Sequence, residues 1–472
     1  MDIKAQVNKK WLQFSEDAKQ VSRRVLDLDI NLAVTGLSGA GKTAFISALT
    51  QHVRFASQTA AYPFWQAAEA ERIIGCKRNL HDDNHTARFR LDDAMACLTA
   101  EAPVWPKSTK GISSLSLTLK FKPEHKLKSL LTDALNLRIN ITDYPGEWLL
   151  DLPMLKYDYQ QWSDSIWQRY RSHTDFYAFK QACENQDWHA PADELVLEKL
   201  AAIYTEFLHK IANESYSYVQ PGRFVLPAEW QGKPALHFVP ISSEFVNNRK
   251  ADETDDVLFS LNKSRFEFYV KEIVTPFYHR YFNDFDRQVV LVDVLKALNG
   301  GDEKYQDLKF TLAALSESFE YGKQNWLSHI ISPKIDKVLF AVTKADHITP
   351  EQRQNAVSLL KTLAIKSEEH LKYSHVDTHY LAIASIAASK AEKIMHEGQQ
   401  WSVLNAIELH TQTPLCFFPG EVPAVINHSS VWSDNQFNFK SFSPPLLLNE
   451  DAPFPHIAMD KVCEFLFGDK MQ

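Results

Sequence analysis

The sequence predicts an α/β protein, a doubly wound and mostly parallel sheet with large helical insertions and a C-terminal appendage. Three observations carry this. Short apolar runs at 29–35, 289–294 and 337–343 are near-continuous, as strands buried on both faces must be. They alternate with stretches of helical periodicity, the pattern of crossover connections. A glycine-rich turn follows the first run and opens a helix; in such sheets ligands bind at the carboxyl ends of the strands.

Taken in order, residues 1–28 read as an N-terminal amphipathic helix. Val7, Trp11, Phe14, Ala18, Val21, Val25 and Leu28 recur at steps of three and four. Docking on its own domain is the plainer reading. A partner helix or a peripheral membrane contact, which Lys9, Lys10, Arg23 and Arg24 would suit, is the alternative. Residues 29–148 form the first part of the sheet domain, with a charged, mainly helical insertion near 60–104. Leu115, Leu117, Leu119 and Phe121 alternate, as do residues 135–141, which predicts two half-buried strands that can pair. Residues 149–285 are rich in Trp, Tyr and Phe. They are too many for a loop and must carry their own, largely helical structure. Residues 286–400 hold the second part of the sheet, including a shorter strand candidate at 380–384. Residues 401–472, rich in Pro and Phe, read as an irregular or β-containing extension.

Composition narrows the function. The 472 residues carry a net charge of -8, which disfavours nucleic acid as a partner. The five cysteines are scattered, with no C-x-x-C pair, against a zinc site or a disulfide framework. The N-terminus lacks the apolar core of a signal peptide, and no run approaches the roughly 18 apolar residues of a membrane span. A cytoplasmic protein is expected.

The loop Gly36-Leu37-Ser38-Gly39-Ala40-Gly41-Lys42-Thr43 fits G-x-x-x-x-G-K-[ST] in the strand–loop–helix context that motif requires. Its glycines permit positive-φ turns, so that the amides of Ser38 to Ala44 can face phosphates. Lys42 can reach the β- and γ-phosphates, and Thr43 can give its hydroxyl to Mg²⁺. Asp143-Tyr144-Pro145-Gly146 ends the strand at 135–141 and matches D-x-x-G. Such an Asp reaches the metal through water, and such a Gly senses the γ-phosphate. Thr343-Lys344-Ala345-Asp346, followed by His347, matches [NT]-K-x-D. A carboxylate there can accept from both N1–H and the 2-amino group of guanine, and adenine offers neither. Ser385-Ile386-Ala387 resembles the S-A-x element that contacts guanine O6, with its frame open by one residue. Thr109, ahead of the strand at 113–121, is the candidate switch threonine and metal ligand. Trp105-Pro106 upstream is either core or a shield for the nucleotide. Together the motifs predict a P-loop GTPase binding GTP or GDP with Mg²⁺.

These strings resemble the YcjX-like family of bacterial P-loop GTPases. The resemblance rests on the phosphate loop through Ala44-Phe45, on Trp105-Pro106 with Thr109, and on Asp143-Tyr144-Pro145-Gly146-Glu147-Trp148. It continues in Pro221-Gly222-Arg223-Phe224, Phe285-Asp286-Arg287-Gln288, Thr343 to His347, and Phe465-Leu466-Phe467-Gly468-Asp469-Lys470. It implies a Ras-type domain with helical insertions, as in Gα proteins, and an association with bacterial stress response. It also implies an Arg immediately before the switch threonine, where this chain has Ser108. Glu147 stands where Ras-like proteins carry the water-orienting Gln, and a carboxylate cannot donate as an amide does.

The expected chemistry is attack of water on the γ-phosphate. Lys42, the metal and the loop amides neutralise charge, while Thr109, Gly146 and Glu147 place the water. Without an arginine finger, turnover near ~10⁻⁴ to 10⁻² s⁻¹ is expected. A protein activator or effector would supply an arginine, or one of Arg72, Arg78, Arg88 and Arg90 would fold over the site. Two rivals stay open at this point: an ATPase or small-molecule kinase, and a scaffold that binds nucleotide without hydrolysing it.

Overall fold

A computed structural model describes residues 28–37, 39–58, 62–81, 83, 86–107, 109–124, 133–245, 256–281, 284–318, 335–365, 376–426, 431–432, 437–447 and 452–472. The N-terminal helix read over 1–28 lies outside these, apart from Leu28 itself.

One mixed sheet organises the molecule. Its strands are β1 (Leu28–Gly36), β2 (Ile73–Arg78), β3 (Ala87–Arg88), β4 (Ser113–Phe121), β5 (Leu135–Asp143), β6 (Arg287–Val292), β7 (Lys337–Val342) and β8 (Asp377–Ala382). The order is β2-β4-β5-β1-β6-β7-β8, with β3 beside β4. β5, β1, β6, β7 and β8 run parallel. The alternating segments at 113–121 and 135–141 do pair, as an antiparallel ladder from Ser113↔Asp143 to Phe121↔Leu135. The order reverses at β1, which has β5 on one side and β6 on the other, so the crevice beyond its carboxyl end is the topological switch point.

The segment near 60–104 departs from its helical reading. It contributes β2 and β3 as well as α2 (Leu91–Leu98), and β2 extends the sheet antiparallel to β4. Its charges had suggested an exposed helix; they line an edge strand, where exposed charge is also tolerated.

Two cores sandwich the sheet because neighbouring strand residues point to opposite faces. Ile30, Leu32 and Val34 of β1 and Leu291 of β6 pack with α1 (Lys42–Phe55) and with α10 (Met459–Phe467). Ala33, Val290, Val292, Phe340 and Val342 face the larger core, which holds the aromatic insertion. That insertion includes α3 (Tyr159–Tyr170), α4 (Tyr177–Glu184), α5 (Glu194–Asn213) and α6 (Leu258–Tyr269). Beyond β6 follow α7 (Val294–Asn299), α8 (Asp302–Ser318) and, after β7, α9 (Arg353–Leu363).

The C-terminal part is both sheet and strap. β9 (Ser389–His396), β10 (Gln399–Ile407) and β11 (Pro414–Phe417) form a separate antiparallel sheet. α10 then returns to the main sheet. Buried Arg287 holds the end of the chain there, donating to both oxygens of Asp469 at 2.8 and 2.6 Å and to the Leu466 carbonyl. Among the described residues, no helix is long and apolar enough to cross a membrane.

Candidate functional site

A cavity of about 410 Å³ lies at the carboxyl ends of β1, β6, β7 and β8, with Glu147 from beyond β5 on its wall. Its phosphate-loop side is Gly39, Ala40, Gly41, Lys42, Thr43 and Ala44. Gly39 and Gly41 have φ of 81° and 86°, the left-handed region where a side chain is strained. Gly41 thereby opens α1, whose Phe45, Ile46, Leu49 and Val53 are buried against the sheet. The Lys42 Nζ donates to the Gly36 carbonyl at 2.8 Å, which curls the loop around its own ammonium. Ser38 lies outside the described residues, as does Ser108.

Thr109 meets the D-x-x-G segment directly: its hydroxyl donates to Asp143 Oδ2. The other oxygen of Asp143, Oδ1, is buried without a hydrogen-bond partner. Burial pushes this carboxyl up to about 6; Lys42 and the Thr109 hydroxyl pull the other way. Thr43 Oγ1 lies 3.3 Å from the Lys107 carbonyl, to which it donates. Gly146 is held against the phosphate loop so closely that a Cβ would stand 2.4 Å from the Gly36 carbonyl oxygen. No other residue fits there.

The wall built on β7 holds Thr343, Lys344, Asp346 and His347. Lys344 turns the chain in the left-handed conformation, with φ of 60°. Its Nζ donates to Asp293 Oδ2 at 2.5 Å. Asp346, nearly fully buried, accepts at 2.8 Å from the Ala388 amide of the loop after β8. Burial lowers the pKa of His347, partly offset by Asp346, so this ring is neutral at pH 7. Ala384, Ser385 and Ile386 also face the cavity, so the whole Ala384 to Ile386 stretch is the cavity-facing part of that motif.

Several cavity residues carried no signal in the sequence. Asp293 and Lys296 follow β6. The end of every parallel strand in a doubly wound sheet is a ligand edge, so Asp293 was findable on that ground. Phe442, in the extension, packs against His347 with the rings tilted by 41° and their centroids 4.4 Å apart. Its carbonyl accepts from the Trp105 indole at 2.7 Å, so Trp105 is a cavity residue tied to the extension rather than core. The insertion supplies Ala212, Tyr216 and Leu226 from the opposite side. Among Arg72, Arg78, Arg88 and Arg90, none lines the cavity. Arg72, Arg78 and Arg88 hydrogen-bond to carboxylates, and Arg90 forms an ion pair with Asp93.

A model of the YcjX-like family matches residues 30–471. A Shewanella oneidensis protein named Ras-like GTPase YcjX is 36% identical over 479 residues, covering 98% of each chain. An Escherichia coli protein of the same name is 38% identical over 453 residues, 95% of this chain and 97% of the other. On the strength of a match along nearly the whole chain, the chain belongs to the YcjX-like family.

Proposed function

We propose that this protein binds GTP and GDP with Mg²⁺ and hydrolyses GTP slowly as a molecular switch. One observation carries the reading: Gly39 to Thr43 of the phosphate loop, Thr109, Glu147, Thr343, Lys344, Asp346, His347 and Ser385 all line one cavity. These segments, separated by over 300 positions, meet at the carboxyl edge of the parallel strands, where ligands bind in doubly wound sheets. The names of the two relatives support the same activity.

The metal fits the residues present. Asp143 Oδ1 is a buried, unpartnered oxygen, and the hydroxyls of Thr43 and Thr109 complete an all-oxygen set suited to Mg²⁺. When bound, Mg²⁺ would neutralise charge on the phosphate oxygens. The chain's own part is then to bind and orient. Lys42 shifts from the Gly36 carbonyl to the phosphates, and the amides of Gly39 to Thr43 cradle them. Asp346 accepts from the guanine edge. Water oxygen bonds to the γ-phosphorus as the bond to the bridging oxygen breaks. The electron pair leaves with GDP, and the water's proton passes to the released phosphate. Glu147, at the cavity wall, orients that water as an acceptor.

Nucleotide competition tests the base specificity. GTP and GDP should displace a labelled guanine nucleotide, and ATP should not. Asp346→Asn should weaken GTP by about 10²- to 10⁴-fold and favour XTP. Equal competition by ATP would sink the guanine reading. Single-turnover phosphate release should run near ~10⁻⁴ to 10⁻² s⁻¹ and vanish in Lys42→Ala. A release rate unaffected by Lys42→Ala would instead favour the scaffold. The stress-response setting implied by the family resemblance belongs to this proposal. Heat survival of a deletion strain complemented with wild type or Lys42→Ala tests it, and equal rescue by both would count against a nucleotide-dependent role.

A further inference from the structure

A second lysine stands at the phosphate loop. Lys296 lies in α7, directly after β6. The Asp293 side chain caps that helix, accepting from the Lys296 backbone amide at 3.0 Å. The same carboxylate accepts from Lys344 Nζ at 2.5 Å. Asp293 is therefore engaged, and the Lys296 ammonium forms no hydrogen bond or ion pair with any described residue. It lies 3.7 Å from where a Cβ on Gly39 would stand. Gly39 has no side chain, so the space between the ammonium and the loop is open. Lys296 lines the same cavity as Lys42 and Glu147. Burial lowers its pKa; Asp293 and, less strongly, Glu147 oppose this, and Lys344 adds to it.

A half-buried cation with no hydrogen bond or ion pair among the described residues is costly, and chains keep such groups where a ligand completes the pair. The glycine-rich loop can present its amides to an anion, and Lys296 stands beside it at Gly39. No arginine adjoins Thr109, which has Lys107 and Lys110 around it. Within this chain, a lysine on α7 lines the cavity beside the loop.

We infer that Lys296 is a catalytic residue, a cation supplied in cis that contacts the terminal phosphates of GTP beside Gly39 and stabilises the charge that builds there during hydrolysis. This rests on the proposal that GTP is hydrolysed at this site. Lys296 keeps its proton throughout. The bond from water to the γ-phosphorus forms as the bond to the bridging oxygen breaks, the electron pair goes to GDP, and the water's proton leaves with phosphate.

The test uses the full chain, with Lys296→Met, Lys296→Gln and Lys296→Arg. Single-turnover phosphate release should fall about 100-fold in the Met and Gln variants, the scale of losing one charge-stabilising donor. Arg keeps the charge and should stay within about tenfold of wild type. The thermal midpoint of each variant checks the fold, and Gln carries the test where Met does not fold. Wild-type rates in both neutral variants would overturn the inference. The second readout is affinity for GDP with aluminium fluoride, a mimic of the phosphoryl group in flight. It should weaken at least about tenfold in the neutral variants, consistent with a lost charge-assisted contact. If wild type itself releases no phosphate, the hydrolysis reading fails and this second arm decides. Weaker fluoride-complex binding by the neutral variants then upholds the phosphate contact, and equal binding overturns it.

Discussion

His52 supports the cavity wall at Ser385. It is fully buried on α1, with Nε2 3.3 Å from the Ser385 carbonyl and Nδ1 3.0 Å from the Tyr62 hydroxyl. A neutral ring satisfies both: Nε2–H donates to the carbonyl, and Nδ1 accepts from the hydroxyl. The His456 ring lies against it at 4.6 Å. Burial, then His456, pushes the His52 pKa down to about 3, against the smaller pull of the Ser385 carbonyl. The folded value lies below the unfolded one near 6.5, so the stability His52 contributes is present above about 6.5 and lost as pH falls. Between pH 7.5 and 5, wild type should lose about 2 kcal/mol more unfolding free energy than His52→Gln. Urea unfolding at the two pH values measures this, and parallel losses would show that the ring is not buried neutral. Glu147 shows the limit of reading single residues. Its place on the cavity wall is visible only in the fold, whereas its departure from glutamine is plain in the sequence.

At the scale of elements, the segment after D-x-x-G is the joint between sheet and insertion. Residues Gly146–Lys156 form a run of 3₁₀ turns, buried from Gly146 to Met154. Its Asp151 accepts from the Gly222 amide at 2.7 Å and from the Tyr269 hydroxyl at 2.6 Å. Arg223 pairs with the same carboxylate and lies over the Trp148 ring, 4.2 Å from its centroid. Burial pushes the Asp151 carboxyl up to about 6, while Arg223 holds it down, so the pair is charged at pH 7. Gly222 is as constrained as Gly146, since a Cβ would stand 2.2 Å from the Glu147 carbonyl oxygen. Gly222→Ala should therefore cost about 1–3 kcal/mol through overpacking and displace Glu147. The expected outcome is a lower urea midpoint together with slower phosphate release. Unchanged values for both would mean that the contact relaxes freely. The strings Pro221-Gly222-Arg223-Phe224 and Asp143 to Trp148 are both distinctive in the sequence. That they touch is a tertiary fact.

For the whole molecule, the extension closes the cavity. Phe442 reaches His347 on one side and holds Trp105 through its carbonyl on the other. It thereby links the segment before Thr109 to the wall built on β7. Trp105→Phe keeps an aromatic ring, smaller than the indole, and removes the donor. One hydrogen bond of about 0.5–1.5 kcal/mol should speed GDP release roughly 3- to 10-fold. Stopped-flow displacement of a fluorescent GDP measures it, and an unchanged rate would mean that release follows another route. The same extension is pinned at its far end, where Arg287 grips Asp469 beneath β6.

By itself the sequence determined the strand–loop–helix at the glycine-rich loop, the parallel core strands and the order of the segments that meet at the cavity. Each is a local pattern, because turn chemistry and side-chain periodicity act within a few residues of chain. The tertiary structure decided what local pattern cannot encode. It turned part of the charged segment near 60–104 into an edge strand, because backbone pairing along β4 outweighed weak local preference. It brought Asp293, Lys296 and Phe442 to the cavity, where their roles come from distances across the fold rather than from spacing along it. It also buried the segment after Gly146 beneath the insertion, because the aromatic residues of that insertion need an apolar partner and the second face of the sheet is where one lies.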